Sequence, residues 1–464
     1  MSDQVQALVV GAGISGLATA YALQKAGVSP LILEFASRPG GVIQSVERDG
    51  FLIECGPQSF SGNSALTTIC RDLQIADQRV LADPKSPRYV LTGGKLRKVP
   101  MGPALLASSL MAGGTRSAIL RDALGTTRPP EADESVASFT RRKFSATLLD
   151  RLVGPFVSGI YAGDPEKLSL RAAFPTLYQA ESLSGSVVRG MFSKRKARKG
   201  VGNGPREKPA LQTLLPGNEL IIQALANDLG ERLVCNCEVT SIASLTPSTE
   251  PQAPRFRVTS RSPKGQETIG AERLIFAVPA DVAGKLLAPL NSEFASQLLV
   301  IEYAPVGVVS LGYRRADVGH PLNGFGFLVP RSSGLNVLGT VWNSSLFPGR
   351  APEGYVLLTS FVGGATNPGA AQKTADELVA VVHREITPIL SIRNQPLFSN
   401  ITIWPRAIPQ YNLGHSARIA ALEKLRSQFP GLYFAGNYLN GPAIGTCIEQ
   451  ALKIADEIRI SFTN

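Results

Sequence analysis

Hydrophobic and polar positions along this chain fall into short blocks, and the first block sets the pattern. Gln6–Val10 is an apolar run of strand length, followed at once by Gly11-Ala12-Gly13-Ile14-Ser15-Gly16 and then by Leu17–Ala26, rich in helix formers. The order predicted is strand, tight turn, helix. A second strand is predicted at Pro30–Leu33, with later ones at Glu238–Ile242 and Arg273–Val278, the last ending in Pro279-Ala280. Near the far end, Gly431–Gly436 reads as a strand and Cys447–Arg459 as a helix, with Gly441–Gly445 between them. Alternation in Phe325–Leu328 and Leu357–Val362 predicts further strands, whose buried faces pack a core more often than they line a ligand site. In a doubly wound domain the late strands return to the first sheet after an insertion. The fold class expected is therefore α/β.

Length and composition change this picture little. At 464 residues, 44% hydrophobic and 18% charged, the chain can bury a large core in roughly two to three domains. Its five cysteines (Cys55, Cys70, Cys235, Cys237, Cys447) form no CxxC pair or even framework, which argues against a disulfide scaffold and a zinc site. The apolar strand pattern begins too early for a signal peptide, and no apolar run approaches the ~18 residues of a spanning helix. A cytoplasmic chain is expected, with peripheral membrane contact left open. The formal net charge of +11 suits nucleic acid, anionic lipid or an acidic substrate alike. Seven of the basic residues crowd into Lys194–Lys208, among glycines and a proline, where a solvated loop is expected ahead of a binding arm.

The glycine run carries the first chemistry. In a GxGxxG turn the first glycine permits the turn, the second lets backbone approach a pyrophosphate, and the third lets helix pack on strand. Glu34 stands at the end of the second strand, about twenty positions on, where an acid can bond ribose hydroxyls and disfavours a 2′-phosphate. Beyond it, Ser37-Arg38-Pro39-Gly40-Gly41 adds a cation and two small residues beside the pyrophosphate, a pattern that flavoproteins show.

The opening GAGISGLATAYAL…LILEFASRPGG and the closing PGLYFAGNYLNGPAIGTCIEQALKIAD resemble the monoamine oxidase and phytoene desaturase superfamily, which implies FAD. The middle of the chain narrows the likeness. GPFVSGIYAGDPEKLSLRAAFP (Gly154–Pro175), GFGFLVP (Gly324–Pro330) and SFVGG (Ser360–Gly364) resemble the protoporphyrinogen oxidase family, near its plastid and cyanobacterial-type members. The likeness covers nearly the whole chain. It implies that FAD is held by Gly11, Ala12, Gly13, Ile14, Ser15, Gly16, Glu34, Phe35, Arg38, Gly41, Val42 and the segment Gly56, Pro57, Gln58, Ser59. Val239 would flank the adenine, Trp404 would lie by the ring, and Ala443, Ile444 and Gly445 would cover its far edge. A helix N-terminus near Gly445 would stabilise negative charge on the reduced ring.

The substrate implied is a tetrapyrrole macrocycle with two propionates. Arg88 matches the position that pairs with a propionate, a task suited to a planar fork of donors. Phe325, Leu328, Val341 and Phe361 match positions that sandwich the pyrrole rings, and Gly159 a place where backbone approaches the substrate. Taken by themselves these apolar residues read as core. Val341 is smaller than the leucine of many plant relatives, which widens the pocket there.

No protein general base is expected. His320, His383 and His415 have no carboxylate spacing suggesting a triad or metal cluster, and each reads as structural or superficial. The resemblance implies instead hydride transfer from a methylene bridge to the flavin, proton loss from pyrrole nitrogens, and reoxidation by molecular oxygen. The architecture expected has an FAD domain from 1–87, 209–285 and 400–464, a helical region 88–208, and a strand-rich substrate domain 286–399. Within the helical region, Met101–Leu124 reads equally as a membrane-surface segment or as core helices. The partners expected are the porphyrinogen, oxygen, a membrane surface and a second copy of the chain, without nucleic acid or metal. Coproporphyrinogen oxidation, another amine-oxidase-type reaction and a non-catalytic flavin or porphyrin carrier stand as alternatives.

Overall fold

The blocks at the two ends of the chain build one sheet. The structure is a computed structural model that describes residues 4–463 apart from Met101, Pro103, Gly113, 201–209 and 246–252. Strands Leu233–Val234, Pro30–Leu33, Gln4–Val10, Gly265–Phe276 and Leu432–Phe434 run parallel in that spatial order, and Phe256–Ser262 and Glu238–Ser244 extend the sheet antiparallel. One rung crosses Val234, Leu33, Val10, Phe276 and Phe434, so five carboxyl ends finish along one edge. That edge is where open α/β sheets bind ligands. The Gly265–Phe276 strand starts earlier than the expected Arg273–Val278, because its first half alternates in exposure and pairs antiparallel. Its last six residues are buried on both faces, which suits the centre of a parallel sheet.

Two apolar layers cover this sheet. Helices Ile14–Lys25, Ser64–Asp72, Glu219–Leu229 and Ile444–Thr463 supply one, and Ala280–Leu287, Ser292–Leu299 and His415–Gln428 the other. The first and last helices of the chain thus lie in the same core.

A second seven-stranded sheet runs Phe398–Pro409, Tyr303–Arg314, Tyr355–Gly363, Val337–Val341, Gly326–Leu328, Arg88–Thr92, Lys95–Val99, and only the 326–328 to 88–92 contact is parallel. Helix Ala375–Leu390, opened by a Thr374–Glu377 capping box, packs on one face. The expected division changes at two points. Residues 88–99 form a hairpin of this sheet and not the start of the helical region, and Phe398–Pro409 is its edge strand and not the start of the last FAD segment. Lys95–Val99 and Phe398–Pro409 are the two edges of this sheet, and an edge strand is half solvated and carries little hydrophobic pattern.

Between them lies a helical stretch with Thr115–Leu124, Val136–Lys143, Gly154–Tyr161, Pro175–Ser184 and Val187–Gly200. Met101–Leu124 is not continuous helix: a short turn Ala104–Ala107, a 3-10 turn Ser109–Met111 and the Thr115–Leu124 helix follow in sequence, while Met101, Pro103 and Gly113 lie outside the described residues. The expected basic loop is corrected as far as Gly200, since Lys, Arg and Ala are good helix formers and prolong the helix begun at Val187. The rest of that run, 201–208, lies outside the described residues. Among the described residues no helix is long and apolar enough to cross a membrane.

Candidate active site

At the carboxyl edge of the first sheet the glycine turn has the geometry a dinucleotide requires. Gly11 adopts φ +99° and donates 2.8 Å to Leu33 O, closing the turn against the second strand. A β-carbon at Gly16 would lie 2.0 Å from Gly11 O, so helix and strand touch only because it is absent. A β-carbon at Gly13 would meet nothing within 4 Å, which leaves open room where a pyrophosphate would approach. Ile14 and Ser15 begin the helix, whose orphan N–H groups face that room. Glu34, half-buried, accepts 2.6 Å from Ala12 N and 2.9 Å from Ala36 N. Its carboxylate is therefore anchored at the strand end. These features fit FAD.

The other nucleotide-side residues are placed in different ways. Gly13 bridges to Gly40, with Gly41 opposite, and Val42 O lies 2.0 Å from where a β-carbon of Gly56 would stand. Arg38 is occupied in bracing its own loop, donating to Pro39 O at 3.0 Å and Gly41 O at 2.8 Å. Phe35 is 73% exposed. Val239 sits at a bulge, near Glu34 through the Cys237 N to Glu34 O bond of 2.8 Å. Trp404 Nε1 donates 2.7 Å to Cys55 O, and Asn63 Nδ2 donates 2.8 Å to Gly445 O. These two bonds tie the second sheet and the last helix to the Cys55–Ser59 segment and its neighbours. Ile444 and Gly445 are buried, while Ala443 is exposed. Pro57 O accepts from Asn218 Nδ2, Gln58 is buried and Ser59 half-buried.

The residues matched to the substrate come from strands far apart in sequence and converge. One rung runs Arg88, Gly326, Val341, Thr359, and the rung two residues on runs Val90, Leu328, Gly339, Phe361. Rungs two apart share a face, so Arg88, Val341, Leu328 and Phe361 project to the same side. Phe325 joins Val341 in one apolar cluster, and the Arg88 guanidinium lies 5.6 Å over its ring. Arg88 is exposed and forms no ion pair among the described residues. Phe325, Leu328, Val341 and Phe361 are half-buried, leaving apolar surface open. Gly159 meets this face from the helical stretch: a β-carbon there would lie 2.7 Å from Leu328 Cδ2. Phe361 packs with Trp404 and Ala162, which joins the face to the Cys55–Ser59 segment through the Trp404 bond.

Burial pushes the Tyr161 hydroxyl up to about 12, and burial with the Arg315 charge lowers His320. All three histidines have packing roles: His320 lies beside Trp342, His383 Nδ1 is 3.0 Å from Tyr313 Oη, and buried His415 stacks on Tyr411. Sequence reasoning missed Glu54, Asn343 and Arg350, buried polar residues beside the Cys55–Ser59 segment. Of the three, only Glu54, set at the end of the apolar run Phe51-Leu52-Ile53, carried a local signal.

Comparison with known proteins gives concordant results. The family described as flavin containing amine oxidoreductase matches residues 14–459. Chloroplastic protoporphyrinogen oxidase of Nicotiana tabacum is 37% identical over 98% of this chain and 85% of that protein. Coproporphyrinogen III oxidase of Bacillus subtilis is 28% identical over 100% of both. A crystal structure from Exiguobacterium sp. 255-15, provisionally named a protoporphyrinogen oxidase, superposes with TM-score 0.81 at 23% identity over 99% of both chains.

Proposed function

This chain belongs to the flavin containing amine oxidoreductase family, with FAD as its cofactor, and from that premise we propose that it oxidises protoporphyrinogen IX to protoporphyrin IX using molecular oxygen. One observation carries the reading: Arg88, Val341, Leu328 and Phe361 share a sheet face that abuts the Trp404–Cys55 link to the flavin side. A flat macrocycle with two propionates wants apolar walls and one fixed cation to set its orientation.

Bound FAD supplies the hydride-accepting, oxygen-reactive ring. The residues of this chain hold the two partners in place. The glycine turn and Glu34 take the pyrophosphate and ribose, and the segments around Gly56–Ser59, Trp404 and Ala443–Gly445 border the ring. Arg88 fixes one propionate with its fork of donors, while Phe325, Leu328, Val341 and Phe361 exclude water from the pyrrole rings. Holding the macrocycle against the ring lowers the entropic part of the barrier. No side chain is assigned as general base: the three histidines are engaged in packing contacts with Trp342, Tyr313 and Tyr411. The helical stretch exposes Leu120, Leu124, Phe156 and Ile160, which supports peripheral contact with a membrane surface.

Coproporphyrinogen III oxidation is the second reading, because a relative bearing that name spans the whole chain. Four propionates would call for more cations than Arg88 provides on this face. Anaerobic mixing of the holoenzyme with protoporphyrinogen IX and, separately, coproporphyrinogen III tests the choice. Faster flavin bleaching by the first, with porphyrin fluorescence and peroxide after air is admitted, is expected. A preference for the second would replace the reading, and bleaching by neither would end it.

A further inference from the structure

Residues that follow the Val337–Val341 strand of the second sheet grip the Cys55–Ser59 segment at Gln58 and, just before it, at Glu54, both buried points. Arg350 is 2% exposed. Its guanidinium donates 2.7 Å to Glu54 Oε1 and 3.3 Å to Leu214 O, and it also bonds Thr213 Oγ1. Glu54 in turn accepts 2.9 Å from Asn218 N and 2.7 Å from Ser45 Oγ, so both of its oxygens are fixed. Asn343, also 2% exposed, donates from Nδ2 to Gln58 Oε1 at 2.7 Å. Gln58 passes the constraint on, donating to Glu54 O at 2.8 Å and Gly56 O at 2.9 Å.

Stability alone does not account for this arrangement. A buried ion pair is seldom worth more than packed hydrocarbon of the same volume, because both charges must leave water. Asn343 Oδ1 has no hydrogen-bond partner among the described residues, so its burial carries a desolvation cost that the Gln58 bond does not fully offset. What such directional bonds supply is a fixed position. Only Trp342 separates Asn343 from Val341, so a shift of the strand bearing Val341 is transmitted directly to Gln58.

We propose that Asn343 and Arg350 are positioning residues that set the Cys55–Ser59 segment, and with it the flavin ring, in register with the porphyrinogen face. This rests on the assignment of that segment and face given above. The two act from the substrate side of the molecule on the cofactor side, through Gln58 and Glu54.

The test compares wild-type holoenzyme with Asn343→Ala and Arg350→Lys, reading FAD dissociation constant, visible absorbance and circular dichroism of the bound flavin, melting temperature, and anaerobic flavin reduction by protoporphyrinogen IX. Asn343→Ala is expected to fold, to weaken FAD binding about tenfold and to alter the flavin bands. Reduction at saturating substrate should slow about tenfold while KM moves less than about threefold. Arg350→Lys keeps a charge beside Glu54 but not the bonds to Thr213 and Leu214, and should move the same readouts in the same direction. Wild-type FAD affinity and flavin bands in both variants would overturn the proposal, as would failure of both to fold, which would make the roles structural. If only one folds, it decides. Should porphyrinogen fail to reduce wild-type flavin, the activity reading falls, whereas affinity and spectrum still decide the positioning role.

Discussion

Arg88 has an aromatic ring beneath its guanidinium and no ion-pair partner among the described residues, which leaves the charge to meet a ligand. Arg88→Ala is expected to raise KM for protoporphyrinogen about ten- to hundredfold, with FAD still bound, the range for losing a hydrogen bond to a charged group. Steady-state kinetics with an unchanged KM would remove Arg88 from the site. A different residue governs acid sensitivity. Burial lowers the His415 imidazole from 6.5 to about 4, with Tyr438 backbone and Asp133 opposing the shift and Arg418 adding to it. The unfolded chain then takes up the proton at higher pH than the folded one, so the stability from this group is whole above pH 6.5 and is lost as pH falls toward 4. The full span is about 3 kcal/mol. Melting temperatures should therefore drop more steeply over that window in the wild type than in His415→Phe, which keeps the stack on Tyr411; parallel profiles would refute the account. Neither His415 nor the Arg350–Glu54 pair was legible in the sequence as a buried group. Arg350 and Glu54 lie 296 positions apart, so nothing local links the two.

Elements were legible in proportion to how local their causes are. The strand–turn–helix at Gln4–Lys25 follows from three glycines and an apolar run, and the structure reproduces it within a few residues. Its glycines make a contrasting pair of predictions. Gly13→Ala places a methyl group in open space, so the apoprotein should melt like the wild type while FAD affinity drops at least about tenfold. Gly16→Ala drives a methyl group into Gly11 O and should destabilise the apoprotein itself by about 1–3 kcal/mol. Apoprotein calorimetry beside FAD titration separates the two, and equal melting temperatures would contradict the packing role of Gly16. The Arg88–Val99 hairpin was not legible. Its parallel neighbour Gly326–Leu328 is supplied more than two hundred residues later, and its outer strand reads as polar because it is an edge. The convergence of Arg88 with Val341 and Phe361 is a property of that pairing, so composition and periodicity could name these residues as strand or core only.

At the scale of the whole molecule, a net charge of +11 and exposed apolar pairs at i, i+4 spacing, Leu120 with Leu124 and Phe156 with Ile160, occur together. The holoenzyme is expected to co-sediment with vesicles containing anionic lipid, less so at high salt, and Phe156→Asp should weaken this without altering the flavin spectrum. Equal recovery in the supernatant with and without vesicles would dismiss the contact. The sheet that frames the dinucleotide turn takes strands from residues 4–10, 30–33, 233–234, 265–276 and 432–434, and the last helix shares a core with the first. During synthesis at about 5–20 residues per second, the opening turn waits on the order of half a minute for the strand and helix that complete its sheet and cover it. A ribosome stalled before residue 432 would accordingly display the dinucleotide fingerprint on a polypeptide whose sheet still lacks a strand and whose core still lacks its last helix.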